Sequence, residues 1–169
     1  MKNDCLLFLL LLLLASCTNK AELSSISPTN WADRTVTQAL DDSLTVGKTY
    51  LSIYSQIYSL SEHRTHDLTA TVSMRNTSTL DTAYILSASY YDTKGQAIRN
   101  YFSQPIFLLP METVEIVIDE EDETGGTGAN FLFEWKVKEA ADPPFFEGVM
   151  ISTSGQQGLS FTTQGILVK

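Results

Sequence analysis

Cysteine, histidine and basic residues are scarce in this chain of 169 residues. Two cysteines and two histidines are too few for a disulfide framework or for most metal cages. Eleven Lys and Arg stand against 20 Asp and Glu, and this net charge of −9 argues against binding to nucleic acid or adsorption to anionic lipid. With 43% hydrophobic and 18% charged residues, the composition is typical of one soluble globular domain and too apolar for a disordered chain.

The longest apolar run is short and lies close to the N-terminus. It covers residues 5–15, and as a helix it would span only about 16 Å, roughly half a bilayer core, so it predicts a secretory signal rather than a membrane anchor. The run ends in Leu14-Ala15-Ser16-Cys17, which resembles the bacterial lipobox. That resemblance implies cleavage between Ser16 and Cys17, with a diacylglycerol and an N-acyl lipid then attached to Cys17. The alternative is an ordinary signal peptide whose cleavage site precedes a cysteine.

The sequence predicts three segments along the chain. Residues 1–16 form the signal peptide, residues 17–43 the lipidated N-terminus and tether, and residues 44–169 the folded domain. Within the tether, Trp31 either stays free or docks on the domain. The lipid would anchor the protein to a bacterial membrane, facing the periplasm or the exterior. Thr18 follows the lipid cysteine where an aspartate would mark inner-membrane retention in the enteric scheme, which favours an outer membrane if the cell has one.

From residue 44 onward the pattern is that of short β-strands. Apolar residues alternate with polar ones over residues 68–75, 114–118 and 131–138, and turn-forming residues such as Asp92-Thr-Lys-Gly95 separate such runs. No window of the domain has the periodicity of a capped helix. Six to eight such strands predict an all-β fold, an antiparallel immunoglobulin-like β-sandwich. Most of its many tyrosines and phenylalanines are expected in the core, and an exposed row that binds a sugar or peptide is the alternative.

Several segments carry a more specific signal. The most distinctive are Gly125-Gly-Thr-Gly-Ala-Asn-Phe131 and Gly155-Gln-Gln-Gly-Leu-Ser-Phe161, and Tyr54–Tyr58, Leu68–Thr77 and Tyr90–Gly95 accompany them. Together these segments resemble the bacterial domain-of-unknown-function family 3124 (DUF3124), small proteins that often occur as lipoproteins. The resemblance runs from about residue 50 to the C-terminus. It implies an identity but no activity.

Two loops are the candidate ligand or partner sites. The first holds Gly125, Gly126, Gly128 and Asn130; it lacks the lysine and the following helix of a phosphate-binding loop. The second holds Gly155, Gln156, Gln157 and Gly158, and the side-chain amides of its two glutamines could form hydrogen bonds with a peptide or a glycan. We expect the two loops to meet at one end of the sandwich.

Acidic residues and histidines provide the candidates for a metal site. Carboxylates of Asp119, Glu121, Asp122 and Glu123 precede the first glycine loop, and they form either a solvated loop tip, which is the favoured interpretation, or a calcium site. His63, His66 and Asp67 are expected in an exposed polar connection, with too few ligands for zinc.

The favoured functional interpretation is a non-catalytic binding or envelope-assembly module, with the lipid on Cys17 and no other cofactor. Its partners would be the membrane, through the lipid, and an envelope protein, a peptide or a glycan. The alternatives are an enzyme that uses carboxylates near Asp92 or in the acidic run, and a calcium-binding adhesion or stabilising module.

Overall fold

A computed structural model describes residues 31–153 and 158–169 of the chain. Across these residues the chain forms two short 3-10 turns, Trp31–Arg34 and Glu123–Gly128, and twelve strands. The strands are β1 Thr45–Ile53, β2 Gln56–Ser59, β3 Ser61–Asp67, β4 Thr69–Arg75, β5 Ala83–Tyr91, β6 Ala97–Asn100, β7 Ile106–Leu108, β8 Thr113–Ile118, β9 Ala129–Val137, β10 Phe145–Ser152, β11 Leu159–Gln164 and β12 Ile166–Val168.

Two antiparallel sheets make up the domain. The large sheet has the order β12-β1-β9-β5-β6, with β7 also paired to β5, and the small sheet has the order β11-β10-β4-β8. Strands β2 and β3 form a separate hairpin. The two sheets share one core, so the predicted all-β sandwich is confirmed. Among the described residues there is no helix long and apolar enough to cross a membrane.

The core follows from the alternation seen in the sequence. In the small sheet Leu68, Ala70, Val72 and Met74 are fully buried, and in β9 of the large sheet every second residue from Ala129 to Val137 is buried. Aromatic rings join the sheets: Phe133 of β9 stacks on Phe146 of β10 with ring centres 4.2 Å apart, and on Phe131 at 5.3 Å. Such stacking adds to the free energy that burial of apolar area contributes.

One segment differs from its prediction. Residues 63–67, expected to be a polar connection, belong to strand β3, so the prediction that His63 and His66 lie in a loop is wrong. The β2–β3 hairpin pairs with neither sheet and most of β3 is exposed, which removes the apolar alternation by which a half-buried strand is recognised.

The N-terminal part of the described chain is docked on the domain. The ring of Trp31 contacts that of Phe102, with centres 5.2 Å apart, and Thr35 forms an isolated β-bridge with Ile106. The Val36 N–H donates to the carbonyl of Pro105 at 2.8 Å. Of the two alternatives for Trp31, the docked one is therefore correct, and the docked segment extends over residues 31–36. The signal peptide, Ser16 and Cys17 lie outside the described residues.

Candidate functional site

The first glycine loop is a 3-10 turn, Glu123–Gly128, which we call the glycine turn, and it is clamped to the β5–β6 hairpin. The Thr93 hydroxyl donates to the carbonyl of Gly125 and accepts from the N–H of Gly128, both at 3.0 Å. Gly126 has a φ of 70°, which favours glycine. Because these backbone groups are bonded within the fold, the turn is built for packing rather than as an open anion cradle.

Gly125 shows most directly why a glycine is needed here. A Cβ atom on this residue would lie 1.9 Å from the Tyr90 hydroxyl oxygen and 2.8 Å from the Ala129 Cβ. Tyr90 is fully buried, and its hydroxyl has no hydrogen-bond partner among the described residues. Burial raises the pKa of Tyr90, while the neighbouring Ser55 acts in the opposite direction. The glycine turn thus fits closely over a core tyrosine.

The acidic residues 119–123 do not form a loop tip in which every carboxylate is solvated. Asp122 is 2% exposed, and its Oδ2 accepts hydrogen bonds from both Nη1 and Nη2 of Arg99 at 3.1 Å. Its Oδ1 accepts from the N–H and the hydroxyl of Thr124, which caps the glycine turn. The prediction of a solvated carboxylate is therefore wrong for Asp122, because an arginine 23 residues away neutralises it inside the fold.

The other candidate cation ligands do not form a group with Asp122 in the part of the chain that the structure describes. The Asp119 carboxylate accepts from the N–H of Glu121 at 3.1 Å, and the side chains of Glu121 and Glu123 are exposed. Within residues 31–153 and 158–169, no group of three or more His, Cys, Asp or Glu is placed to hold a metal ion. One of the four candidate calcium ligands, Asp122, is thus bonded to Arg99. The four carboxylates also do not converge on one point, as a calcium site requires.

The histidines are also separated. His66 is paired with Ile57 in the regular part of the hairpin. His63 lies in its irregular part, because Tyr58 pairs with Thr65 and the next residue, Ser59, pairs with Ser61. His63 lies 3.4 Å from the Glu62 carboxylate, and the carboxylate of Asp67 accepts from the side-chain amide of Gln56 at 2.7 Å. The three residues therefore do not share one site.

The strand ends that flank the second glycine loop lie at the same end of the sandwich as the glycine turn. Its flanking residues Ser152 and Leu159 are paired, and next to them Ile151 pairs with Thr69 at the start of β4. There the Leu68 N–H donates to the Ser55 carbonyl, and the Ser55 hydroxyl donates to Gly126 O at 3.2 Å. Gly158 is exposed, whereas Gly155, Gln156 and Gln157 lie outside the described residues. Asn130, the last member of the first loop, is in β9 between Ser52 and Tyr91.

Three surface cavities of the described residues do not gather catalytic groups. One of about 340 Å³ lies between Trp31 and Phe102, and two of about 300 and 290 Å³ lie along residues 35–41 and share Tyr84. None of these three cavities is lined by more than one carboxylate. Of the aromatic residues weighed as a binding row, Tyr90, Tyr101 and Phe102 are buried, and Tyr58 is 61% exposed on the β2–β3 hairpin.

One exposed apolar surface lies where the sequence did not indicate a site. Strand β12 forms an edge of the large sheet, and its residues Ile166, Leu167 and Val168 are 60, 64 and 37% exposed. Across the sheet, Ile166 is in register with Tyr50, and Tyr50 with Leu132. The short apolar run after Gly165 was the available signal, but three residues are too few to predict a strand by alternation.

Comparison with curated proteins gives no match to the chain. Among solved structures, a similar one is the "Crystal Structure of Thermotoga maritima 1070", which is 12% identical, with a TM-score of 0.46; the match covers 71% of this chain and 92% of that chain. The family model described as "Protein of unknown function (DUF3124)" matches residues 46–168. This range includes all twelve strands except the first residue of β1, Thr45. The resemblance seen in the sequence is therefore confirmed, and the chain belongs to the DUF3124 family.

Proposed function

We propose that this protein is a bacterial lipoprotein whose domain is a non-catalytic binding module of the cell envelope, and that it captures an extended segment of a partner protein along β12. The lipobox ending in Cys17 supports the membrane attachment. The single observation that carries the binding role is the open edge of β12 with its exposed apolar side chains.

An edge of this kind is suited to β-strand addition. The outer side of β12 has no neighbouring strand among the described residues, so its backbone N–H and C=O groups are available to an added strand. Main-chain hydrogen bonds would supply affinity, and the row formed by Ile166, Tyr50 and Leu132 would accept apolar side chains of the partner. Soluble proteins usually protect such edges by keeping them short or by adding a charge or a bulge. Strand β12 is short, but its three residues Ile166–Val168 include neither a charge nor a bulge, which leaves room for a partner strand.

The alternatives have less support. A carboxylate-dependent enzyme needs two acidic groups around one cleft, and the three cavities described above offer at most one. A calcium module needs Asp122, which is bonded to Arg99.

The binding role is tested by site-specific photo-crosslinking in intact cells. A photoreactive amino acid replaces Leu167, and a matched variant carries it at Thr113, an exposed position on β8 at an edge of the small sheet. We expect a discrete crosslinked partner from position 167 alone, lost when Ile166→Lys places a charge on the edge. Equal crosslinking from both positions, or none from position 167, would contradict the proposal.

Lipid attachment is tested separately by the intact mass of the protein purified from membranes. We expect loss of residues 1–16 and a mass increase for one diacylglycerol and one acyl chain at Cys17, with Cys17→Ala abolishing both. Density-gradient fractionation then identifies the membrane, and Thr18→Asp is expected to move the protein to the inner membrane of a two-membrane cell. An unlipidated mature protein would refute the membrane attachment.

A further inference from the structure

A second apolar surface lies on two neighbouring loops. Leu80, on the loop between β4 and β5, is 85% exposed, and Leu109 and Met111, on the loop between β7 and β8, are 51 and 66% exposed. We call these three residues the loop patch. Large apolar side chains at loop tips are unfavourable in water unless another surface covers them.

Hydrogen bonds hold the two loops together as one unit. The side-chain amide of Asn76 donates to the carbonyls of Asp81, Leu108 and Leu109 at 2.8 to 3.0 Å. The Met111 N–H donates to the carbonyl of Ser78 at 3.0 Å, across the gap between the loops. Because Asn76 is 4% exposed, these bonds are shielded from water, and the patch is presented by an ordered backbone.

The acidic groups on these loops are neutralised, although the protein as a whole is strongly acidic. Asp81 is paired with Lys138, and Glu112 is paired with Arg34 at 3.1 Å. These are the two carboxylates within residues 76–82 and 109–112. The patch can therefore approach a lipid headgroup region without two unpaired negative charges at its centre.

The N-terminal chain enters the domain next to this patch. Arg34 donates to the carbonyl of Phe107 at 3.4 Å as well as to Glu112, so the Trp31–Arg34 turn lies beside the loop that carries Leu109 and Met111. Only residues 18–30 separate Cys17 from Trp31, and fully extended they span at most about 50 Å. A lipid on Cys17 would hold the patch close to the bilayer at high effective concentration.

From these observations we infer that the loop patch docks on the bilayer that holds the chain's own lipid anchor, so that the domain lies against the membrane in one orientation. This inference rests on the proposed lipidation of Cys17. The surface that covers the loop patch is the lipid bilayer, because the patch is apolar, its carboxylates are paired and the tether emerges beside it. Strand β12 is at the opposite edge of the large sheet from β6 and β7, so its open side stays accessible to a partner.

The test uses the full lipidated protein in vesicles of phosphatidylethanolamine and phosphatidylglycerol that contain nitroxide-labelled lipid. An environment-sensitive fluorophore is attached to Leu80→Cys or Met111→Cys; Cys17 is blocked by its lipid. The matched control is Leu60→Cys, which is 92% exposed at the tip of the β2–β3 hairpin. That hairpin precedes β4 and the Leu80 loop follows it, so the two labels lie at opposite ends of the strand.

We expect labels at positions 80 and 111 to be quenched about twofold more than the label at position 60, because docked apolar side chains reach the boundary between headgroups and acyl chains. Equal quenching at all three positions, with lipid on Cys17 verified by mass, would overturn the docking alone. A protein without lipid on Cys17 would overturn both the docking and the membrane attachment.

A measurement on the unsubstituted protein guards against effects of the labels. Amide hydrogen exchange in residues 76–82 and 109–112 is compared between vesicles and detergent micelles. We expect exchange about tenfold slower in vesicles for these loops and unchanged exchange in the β2–β3 hairpin. Slower exchange in the hairpin alone would contradict the docking, and so would unchanged exchange in both regions. The loop patch would then be a surface for a protein partner.

Discussion

Removing the carboxylate of Asp122 is the sharpest test of how the glycine-turn end of the sandwich is held together. In Asp122→Ala, the guanidinium of Arg99 loses the oxygen that binds both of its Nη atoms, and the glycine turn loses its cap at Thr124. The side chain of Asp122 is 1% exposed and that of Arg99 is 20% exposed. Water can therefore replace little of what the substitution removes.

The expected loss of stability follows from these exposures. Breaking a buried ion pair by removing one partner costs about 3 to 5 kcal/mol, and the lower value applies because Arg99 keeps some contact with water. Loss of the N-cap adds about 1 kcal/mol. The total of about 4 kcal/mol is a large part of the 5 to 15 kcal/mol that stabilises a typical domain. It corresponds to a fall in Tm of roughly 10 to 15 °C for a domain of this size.

Urea unfolding followed by tryptophan fluorescence measures this free energy, and Asp122→Asn is the matched control. Asparagine keeps the shape and an acceptor for Thr124 but removes the charge, so we expect roughly half the loss of the alanine variant. A loss below about 1 kcal/mol in Asp122→Ala would refute the reasoning, because it would mean that the pair is solvated. Repeating the wild-type urea unfolding in millimolar calcium tests the alternative function; a larger free energy of unfolding would show that the folded protein binds the ion.

Three further predictions concern close contacts and pH. Gly125→Ala should destabilise the domain by about 2 kcal/mol or more through overlap with the Tyr90 hydroxyl; adding Tyr90→Phe should restore part of the loss in urea unfolding, and an additive double variant would contradict the contact. Burial raises the pKa of Tyr90 above its ordinary value of 10.0, so its neutral form stabilises the fold fully below pH 10 and less above it, by about 1.4 kcal/mol per pH unit. Unfolding at pH 9 to 11.5 should therefore show wild type losing stability faster than Tyr90→Phe, and parallel curves would exclude this effect. Gly165→Ala would place a Cβ 2.6 Å from the Thr49 side chain, and we expect a lower Tm by calorimetry; an unchanged Tm would show that the link between β11 and β12 relaxes freely.

The sequence predicts best what depends on local pattern. Strands β4 and β9 alternate strictly because one face of each is in the core, and both were found by that alternation. Strand β3 has no buried face over most of its length, so its residues are mostly polar and show no alternation of apolar and polar side chains. Short strand β12 is defined by its pairing with β1 more than 100 residues earlier, a contact that no local window contains.

Candidate sites depend still more on contacts between distant residues. Five consecutive acidic residues are typical of a solvated loop, and only the fold brings Arg99 to the fourth of them. The glycines of the first loop were recognised as distinctive, but their reason, the hydroxyl of Tyr90 beneath Gly125, lies 35 residues away in the chain. Composition therefore identified the segment, and tertiary packing decided what it does.

The switch of the chain between sheets at Gly165 has a consequence for the order of folding. Strand β11 completes the small sheet beside β10, and β12, one residue later, completes the large sheet beside β1. A chain that emerges N-terminus first from a ribosome or an export channel exposes β1 and β10 as open edges until residues 159–168 have followed. Products truncated before that point would have two unpaired strands available for aggregation. Only a chain that reaches residue 168 can pair both.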